Sequence, residues 1–240
     1  MRILILTGWF LILVIIAAWH YGPGQERVQL DRAALTLDRA DQAAATQQFK
    51  AADEFYDEAL RLLPQGQVQE ARRVRLERAK VQMQAEMLPI AHLELKNLVE
   101  EMASDPAADQ GVLAEARDAL ANSQYYVTWL MRLEGSPRED WEPEIEAARQ
   151  NFSLLAEQSV EQGDSNAAKR HEEDLESSIR LARMDLPELQ GVPLPSQCKR
   201  VSSKKRSKRK SGGGRSGGKS GDQNDARVNG AGPPPDTGGY

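Results

Sequence analysis

The segment FKAADEFYDEALRLLP, residues 49–64, carries the pattern that decides the fold. Ala52 is followed by Tyr56 four residues later and by Ala59 three residues after that, and Pro64 closes the segment. Spacings of four and three place side chains on one face of an α-helix. Proline ends a helix because it has no backbone N–H to donate. The segment therefore predicts a helix with a face of two small side chains and one aromatic ring.

Residues 25–190 continue in the same manner, with helix breakers at intervals and apolar residues at helical spacing between them. The breakers are Pro64 with Gly66, Pro89, Pro106 with Gly111, Gly135-Ser136-Pro137, Gly163 and Pro187. No stretch alternates as a strand does. At the clearest stop, we expect Ser136 to cap the next helix and Pro137 to begin it, with Glu139 at the third position. Antiparallel helical hairpins in an all-α domain follow.

The spacing in residues 49–64 resembles the second helix of a tetratricopeptide repeat (TPR). In that family, small residues at these positions let two helices approach closely, the aromatic side chain fills the gap between hairpins, and the proline ends the unit. Counting back along a unit of about 34 residues gives a repeat over residues 33–66, with Ala40 at the small position of the first helix. The same spacing returns twice, at Ala91, Leu95 and Leu98 and at Ala148, Phe152 and Leu155.

These later segments depart from the family's regular period. Ala52, Ala91 and Ala148 lie 39 and 57 residues apart, and Thr36 stands where the family often has tryptophan. An irregular helical bundle is therefore the alternative. The resemblance implies a TPR-like α-solenoid that binds partners and does not turn over substrates.

The resemblance also indicates a binding surface. Arg75 and Arg78 fall at first-helix positions that face the concave groove in this family, and Arg72 lies one turn before them. Their guanidinium groups are suited to holding a carboxylate of a protein or peptide partner. The alternative is a solvated face with local pairs such as Arg73 with Glu77, which agrees better with the acidity of this part of the chain.

The N-terminus predicts a membrane anchor. Residues 3–19 form an uncharged, predominantly apolar run of seventeen residues, Arg2 precedes it, and Trp19 and Tyr21 follow where interfacial aromatics lie. Residues 1–24 are thus interpreted as a single-pass anchor with a short linker, and the helical domain as extracytoplasmic on a bacterial type of cell membrane. A cleaved signal peptide is the alternative, although Ile16-Ala17-Ala18 offers a poor cleavage site.

The C-terminal residues 191–240 have the opposite charge from the rest of the chain. Residues 1–198 hold 20 Lys and Arg against 33 Asp and Glu, a net charge of −13, whereas residues 199–240 have a net charge of +8. Eight of the twelve residues in KRVSSKKRSKRK are basic: Lys199, Arg200, Lys204, Lys205, Arg206, Lys208, Arg209 and Lys210. We expect a disordered tail attracted to an anionic surface. Binding of nucleic acid or another anionic polymer by this tail is the alternative function.

The sequence predicts no catalytic residues, metal ligands or cofactor. His20 lies at the edge of the predicted anchor, His92 has no histidine or cysteine at helical spacing, and His171 is interpreted as a packed side chain on an apolar stripe. Carboxylates such as Glu144 and Glu146 are interpreted as solvating exposed helix faces. Cys198 has no second cysteine. The phosphate-loop pattern at residues 213–220 lacks the flanking strand and helix that such a loop needs. A non-catalytic, membrane-anchored scaffold is the predicted function.

Overall fold

Helices joined by short turns account for the folded part of the chain. The computed structural model describes residues 9–12, which are helical, and residues 23–191. The helices of the second range are α1 Pro23–Ala45, α2 Phe49–Leu62, α3 Val68–Gln84, α4 Leu88–Ser104, α5 Gln110–Leu133, α6 Arg138–Glu161, α7 Ser165–Arg183 and α8 Leu186–Gly191. These described ranges contain no strand, and the prediction of an all-α fold is confirmed.

Each helix packs mainly against its neighbours in the sequence. α1 lies on α2, α3 on α4, α5 on α6 and α6 on α7, while α2 with α3 and α4 with α5 join one hairpin to the next. In addition, α3 touches α5, and the short α8 folds back on α5. Short connections between antiparallel helices produce this serial arrangement.

The buried apolar side chains form three clusters in chain order. The first joins α1, α2 and α3 through Ala40, Ala43, Ala52, Tyr56, Val74 and Val81. The second joins α3, α4 and α5, with Leu76, Leu95, Leu98, Leu113 and Leu120 among its members. The third joins α5 to α8 through Ala121, Trp129, Trp141, Ile145, Ala148, Phe152, Leu181 and Leu189. Because α3 and α5 each belong to two clusters, the core runs along the array and has no single centre.

The residues singled out by the four-and-three spacing lie in this core. The three segments fall on α2, α4 and α6, which are the second helices of successive hairpins. All nine side chains are buried: Ala52, Tyr56, Ala59, Ala91, Leu95, Leu98, Ala148, Phe152 and Leu155. Ala40 is also buried, on α1, and the half-buried Pro64 follows the end of α2. The hydroxyl of Tyr56 donates a hydrogen bond of 2.6 Å to Asp41 on α1.

Four turns share a left-handed residue, in each case the second residue after the end of a helix. At Gly135, φ is +76°, and the N–H groups of Gly135 and Ser136 donate back to the carbonyls of Arg132 and Met131. This is a Schellman motif, which satisfies carbonyls at a helix end. Gly163 does the same after α6, with φ of +75°. The N-terminal turns place Gln47 and Glu86 at φ of +61° and +63°, a conformation that favours glycine.

Two helix starts differ from the sequence-based expectation. α6 begins at Arg138, and Pro137 is its N-cap, with extended backbone and no capping side chain. The prediction of Ser136 as cap is therefore wrong, and Ser136 instead belongs to the Schellman turn after α5 through its backbone N–H. α1 begins at Pro23, ten residues before the predicted start of the repeat at residue 33, since no breaker interrupts residues 25–45.

The end of α7 is closed by a residue from α5. The guanidinium of Arg132 donates hydrogen bonds to the carbonyls of Leu181 and Met184. The same group lies over the ring of Trp141 on α6, with 4.7 Å between its central carbon and the ring centroid. Burial lowers the pKa of Arg132. One cation of α5 thus contacts both α6 and α7, and it satisfies carbonyls that α7 itself leaves open.

The predicted anchor, residues 3–19, lies outside the described residues except for 9–12. Within the part of the chain that the structure describes, none of the helices has the length and apolar character needed to cross a bilayer. The basic tail, residues 199–210, also lies outside the described residues.

Candidate functional site

Arg72 is a buried cation at the interface between α3 and α4. Only 5% of the residue is exposed, and its guanidinium donates to Glu101 over 2.8 Å and to Asp105 over 2.6 Å. Both acceptors lie at the end of α4, which packs antiparallel on α3. The hydrogen bonds from Arg72 lower the pKa of Glu101 and of Asp105, and Glu101 in turn raises the pKa of Arg72.

Arg75 and Arg78 also bind carboxylates of neighbouring helices. Arg75 donates to Glu94 over 2.5 Å and to Glu101 over 2.6 Å, so that Glu101 accepts from two arginines. Arg78 faces the opposite way, toward α2, where it contacts Asp53 and Asp57 at 2.7 Å each.

These contacts bear on the prediction that the three arginines form a clamp for a carboxylate of a partner. Arg72, Arg75 and Arg78 do not converge on one open surface, because the first two contact α4 and the third contacts α2. A partner's carboxylate would have to displace an internal one that is already held at hydrogen-bond distance. The clamp stays a prediction, and the geometry gives these three residues a structural role at both faces of α3.

A cavity of about 550 Å³ lies between α5, α6 and α7. Polar and apolar atoms line it about equally, and the charged or imidazole side chains in its wall are Glu115, Asp118, Asp164, Arg170, His171 and Asp174. Asp164 also caps α7, where its carboxylate accepts from the N–H groups of Asn166 and Ala167. Carboxylates outnumber the basic groups in this wall, so the cavity is suited to a cationic group.

Three side chains in this cavity form a compact acid–imidazole cluster. Asp118 comes from α5, whereas His171 and Asp174 lie one turn apart on α7. One ligand-type atom of each lies within 4.8 Å of those of the other two, and Nδ1 of His171 is 3.8 Å from an oxygen of Asp118. The prediction that His171 is packed agrees with its side chain being 14% exposed, but its neighbours in the structure include two carboxylates.

His92 occupies a second polar cluster, between α4, α5 and α6. Its Nδ1 lies 3.1 Å from the buried hydroxyl of Ser123, and its Nε2 lies 3.5 Å from Glu144. Burial lowers the pKa of His92, against the opposing effect of the Glu144 carboxylate. The sequence predicts that Glu144 only solvates a helix face, and it instead contacts His92 on α4, the second helix of the preceding hairpin. Because Ser123 is fully buried, this Ser–His–Glu set offers no exposed nucleophile.

Neither cluster is evident from the order of residues along the chain. Asp118 and His171 are more than fifty residues apart, and so are His92 and Glu144. A local signal did exist on α7, where a histidine and an aspartate three residues apart share one helix face. Asp118, the third member of that cluster, is recognised only from the packing of α5 beside α7. Comparison of the chain with protein-family models and with curated proteins gives no match.

Proposed function

We propose that this protein is a non-catalytic, membrane-anchored helical-repeat scaffold that binds a protein partner. The observation that carries the proposal is the serial core, in which α3 and α5 each join two successive clusters. Stacked helical hairpins present an extended surface along which a partner can lie, and this is how solenoid proteins bind.

The repeated spacing supports a TPR-like relationship between the hairpins. The buried triads lie on the second helices α2, α4 and α6, as the family resemblance requires. The first two hairpins share a further feature, because Ala40 precedes Ala52 by twelve residues and Ala79 precedes Ala91 by twelve, with all four fully buried. Small residues at both positions permit close approach of the paired helices. In the third hairpin α5 and α6 are longer, which explains the wider spacing there.

The first helices are the proposed partner surface. In the TPR family they line the concave groove, and here α3 touches α5 directly. Residues 23–191 hold 19 Lys and Arg against 33 Asp and Glu, a net charge of −14. The first helices α1, α3, α5 and α7 themselves hold 14 Lys and Arg against 12 Asp and Glu, so this acidity lies elsewhere in the array and does not select the charge of the partner.

Site-specific photo-crosslinking in cells tests the proposal. A photoreactive residue would replace Arg73 on α3 or Arg170 on α7, and, as matched controls, Glu58 on α2 or Glu157 on α6; all four are exposed. We expect the same discrete protein adduct from both first-helix positions and much less from the second-helix positions. Equal labelling at all four positions, or no protein adduct, would contradict a partner surface on the first helices.

The membrane anchor and the basic tail belong to the same proposal. Residues 3–19 would tether the scaffold, and the tail would hold it near an anionic surface. Recovery of the protein in the membrane fraction after alkaline carbonate washing, with its N-terminus intact, is expected. The alternative function, binding of nucleic acid, predicts DNA binding that residues 199–221 supply and that falls steeply with salt.

A further inference from the structure

The acid–imidazole cluster of Asp118, His171 and Asp174 has the composition of a metal site. Two carboxylates and one neutral imidazole carry a net charge of −2, which balances a divalent cation. The ligand set comes from two helices: His171 and Asp174 share one face of α7, and Asp118 faces them from α5. Asp174 is buried, with 9% of the residue exposed.

The distances are close to those of a coordinated ion. Bonds from zinc to imidazole nitrogen and carboxylate oxygen are about 2.0–2.2 Å, which puts neighbouring ligand atoms about 3.4 Å apart in a tetrahedral site. The separation of 3.8 Å between Nδ1 of His171 and Asp118 already approaches this value. All three ligand atoms lie within 4.8 Å of one another, so displacements of about 1 Å of these side-chain atoms would bring the three protein ligands to coordination distance.

The ligand types select the class of metal. Mg²⁺ and Ca²⁺ prefer shells made of oxygen alone, whereas imidazole with carboxylates suits first-row transition ions and Zn²⁺. The adjoining cavity of about 550 Å³ leaves room for a water molecule as a further ligand. We propose that Asp118, His171 and Asp174 bind a divalent ion of the Zn²⁺ class that links the first helices α5 and α7.

The alternative for the same side chains is an ordinary ion pair between protonated His171 and Asp118. Untagged full-length protein, stripped with a chelator, would be titrated with Zn²⁺ by calorimetry and with Co²⁺ by visible absorption at neutral pH. We expect about one equivalent bound, with Co²⁺ giving the intense absorption of a four- or five-coordinate site. Mg²⁺ at the same concentration should not compete.

Variants separate the cluster from other histidines. His171→Gln and Asp118→Asn should each weaken Zn²⁺ binding about 10- to 100-fold or more, whereas His92→Gln, a matched histidine variant on α4, should leave it unchanged. Circular dichroism checks that each variant is folded. Asp118→Asn is the safer of the two, because its side chain is 37% exposed.

A second readout does not depend on the variants. Zn²⁺ at about one hundred times its dissociation constant should raise the melting temperature by about 5 °C or more. Absence of stoichiometric Zn²⁺ binding would overturn the proposal, and so would binding that persists in both His171→Gln and Asp118→Asn. Loss of binding in His92→Gln alone would place the metal elsewhere. The site does not depend on the proposed scaffold function.

Discussion

The N-terminal half of the array, α1 to α4, and the C-terminal half, α5 to α7, stack helices in the same way with different side chains. Between α3 and α4 the contacts include a buried arginine, Arg72, and the shared carboxylate Glu101. Between α5, α6 and α7 the largest buried groups are aromatic, Trp129 and Phe152. The turns differ as well, because the N-terminal half places Gln47 and Glu86 where the C-terminal half has glycine.

This difference shows that the hairpin stack does not depend on one kind of interface. Alanines and leucines at the close-approach positions set the spacing of the helices, and the remaining volume can be filled by an ion-pair network or by rings. The ion-pair interface and the aromatic interface should respond differently to mutation, acid and salt, and these responses test the comparison.

The largest loss should come from the aromatic core. Phe152, 1% exposed, packs in the cluster that joins α5 to α8. Phe152→Ala should lower the free energy of unfolding by about 4 kcal/mol, since it removes the ring and leaves a cavity. Urea denaturation followed by circular dichroism measures this. Phe152→Leu, which keeps most of the volume, should cost about 1 kcal/mol; equal losses for the two variants would show that the ring is not tightly packed.

Tyr56 is the buried aromatic residue of the cluster that joins α1, α2 and α3. Tyr56 is 3% exposed and contacts the cluster containing Val74 and Val81 on α3. Tyr56→Ala should cost about 3 kcal/mol, and Tyr56→Phe, which loses only the hydrogen bond to Asp41, about 1 kcal/mol. The neighbouring Phe55 is half-buried and serves as a control. A larger loss for Phe55→Ala than for Tyr56→Ala would contradict this assignment of the core face.

The ion-pair interface should tolerate change better. Arg72→Met keeps most of the side-chain length but leaves Glu101 and Asp105 without their buried donor, although Arg75 still holds Glu101. We expect a loss of about 2 kcal/mol, below the value for a fully buried pair because both carboxylates are partly exposed. Unfolding in urea at low and at high salt measures it. No loss at either salt concentration would show that the network does not stabilise the fold.

The pH dependence of stability provides a second test of the ion-pair interface between α3 and α4. Arg72 depresses the folded-state pKa of Glu101 and of Asp105. The stability that these two carboxylates contribute is therefore present above their unfolded pKa values of ~4, and it is lost as the pH falls through their folded pKa values. Stability should therefore fall as the pH drops below about 5 and on through the folded pKa values of the two carboxylates. In Arg72→Met the free energy of unfolding should fall less steeply with decreasing pH. In Phe152→Ala the slope of that fall should be the same as in the unmodified protein.

The smallest effects should come from the turns. Gln47→Gly and Glu86→Gly should each stabilise the protein by about 0.5–1 kcal/mol, because both residues have left-handed backbone conformations that glycine adopts without strain. Gly163→Ala should cost about 1 kcal/mol for the same reason, since no atom lies within 4 Å of the added methyl group. Thermal unfolding measures all three. Destabilisation by both glycine substitutions would show that contacts of the replaced side chains outweigh the backbone strain.

Local patterns predicted the parts of the fold that local chemistry decides. The helices, their breakers and the buried four-and-three triads follow from periodicity and from proline and glycine. The pairing of Arg72 with Glu101, and of Asp118 with His171, could not be predicted, because each depends on which helices become neighbours and how far each is rotated. Charged residues on a helical pattern look the same whether solvent or another helix faces them.

Arg132 gives the C-terminal half a property that a linear stack otherwise lacks. In an ideal array each unit contacts only its neighbours, so helices can open one after another from an end. Here the last carbonyls of α7 accept from a side chain of α5, and the same guanidinium covers Trp141 on α6. Opening α7 alone would leave a half-buried cation without acceptors. The three helices should therefore open as one cooperative unit, while α1 and α2 open independently at the other end.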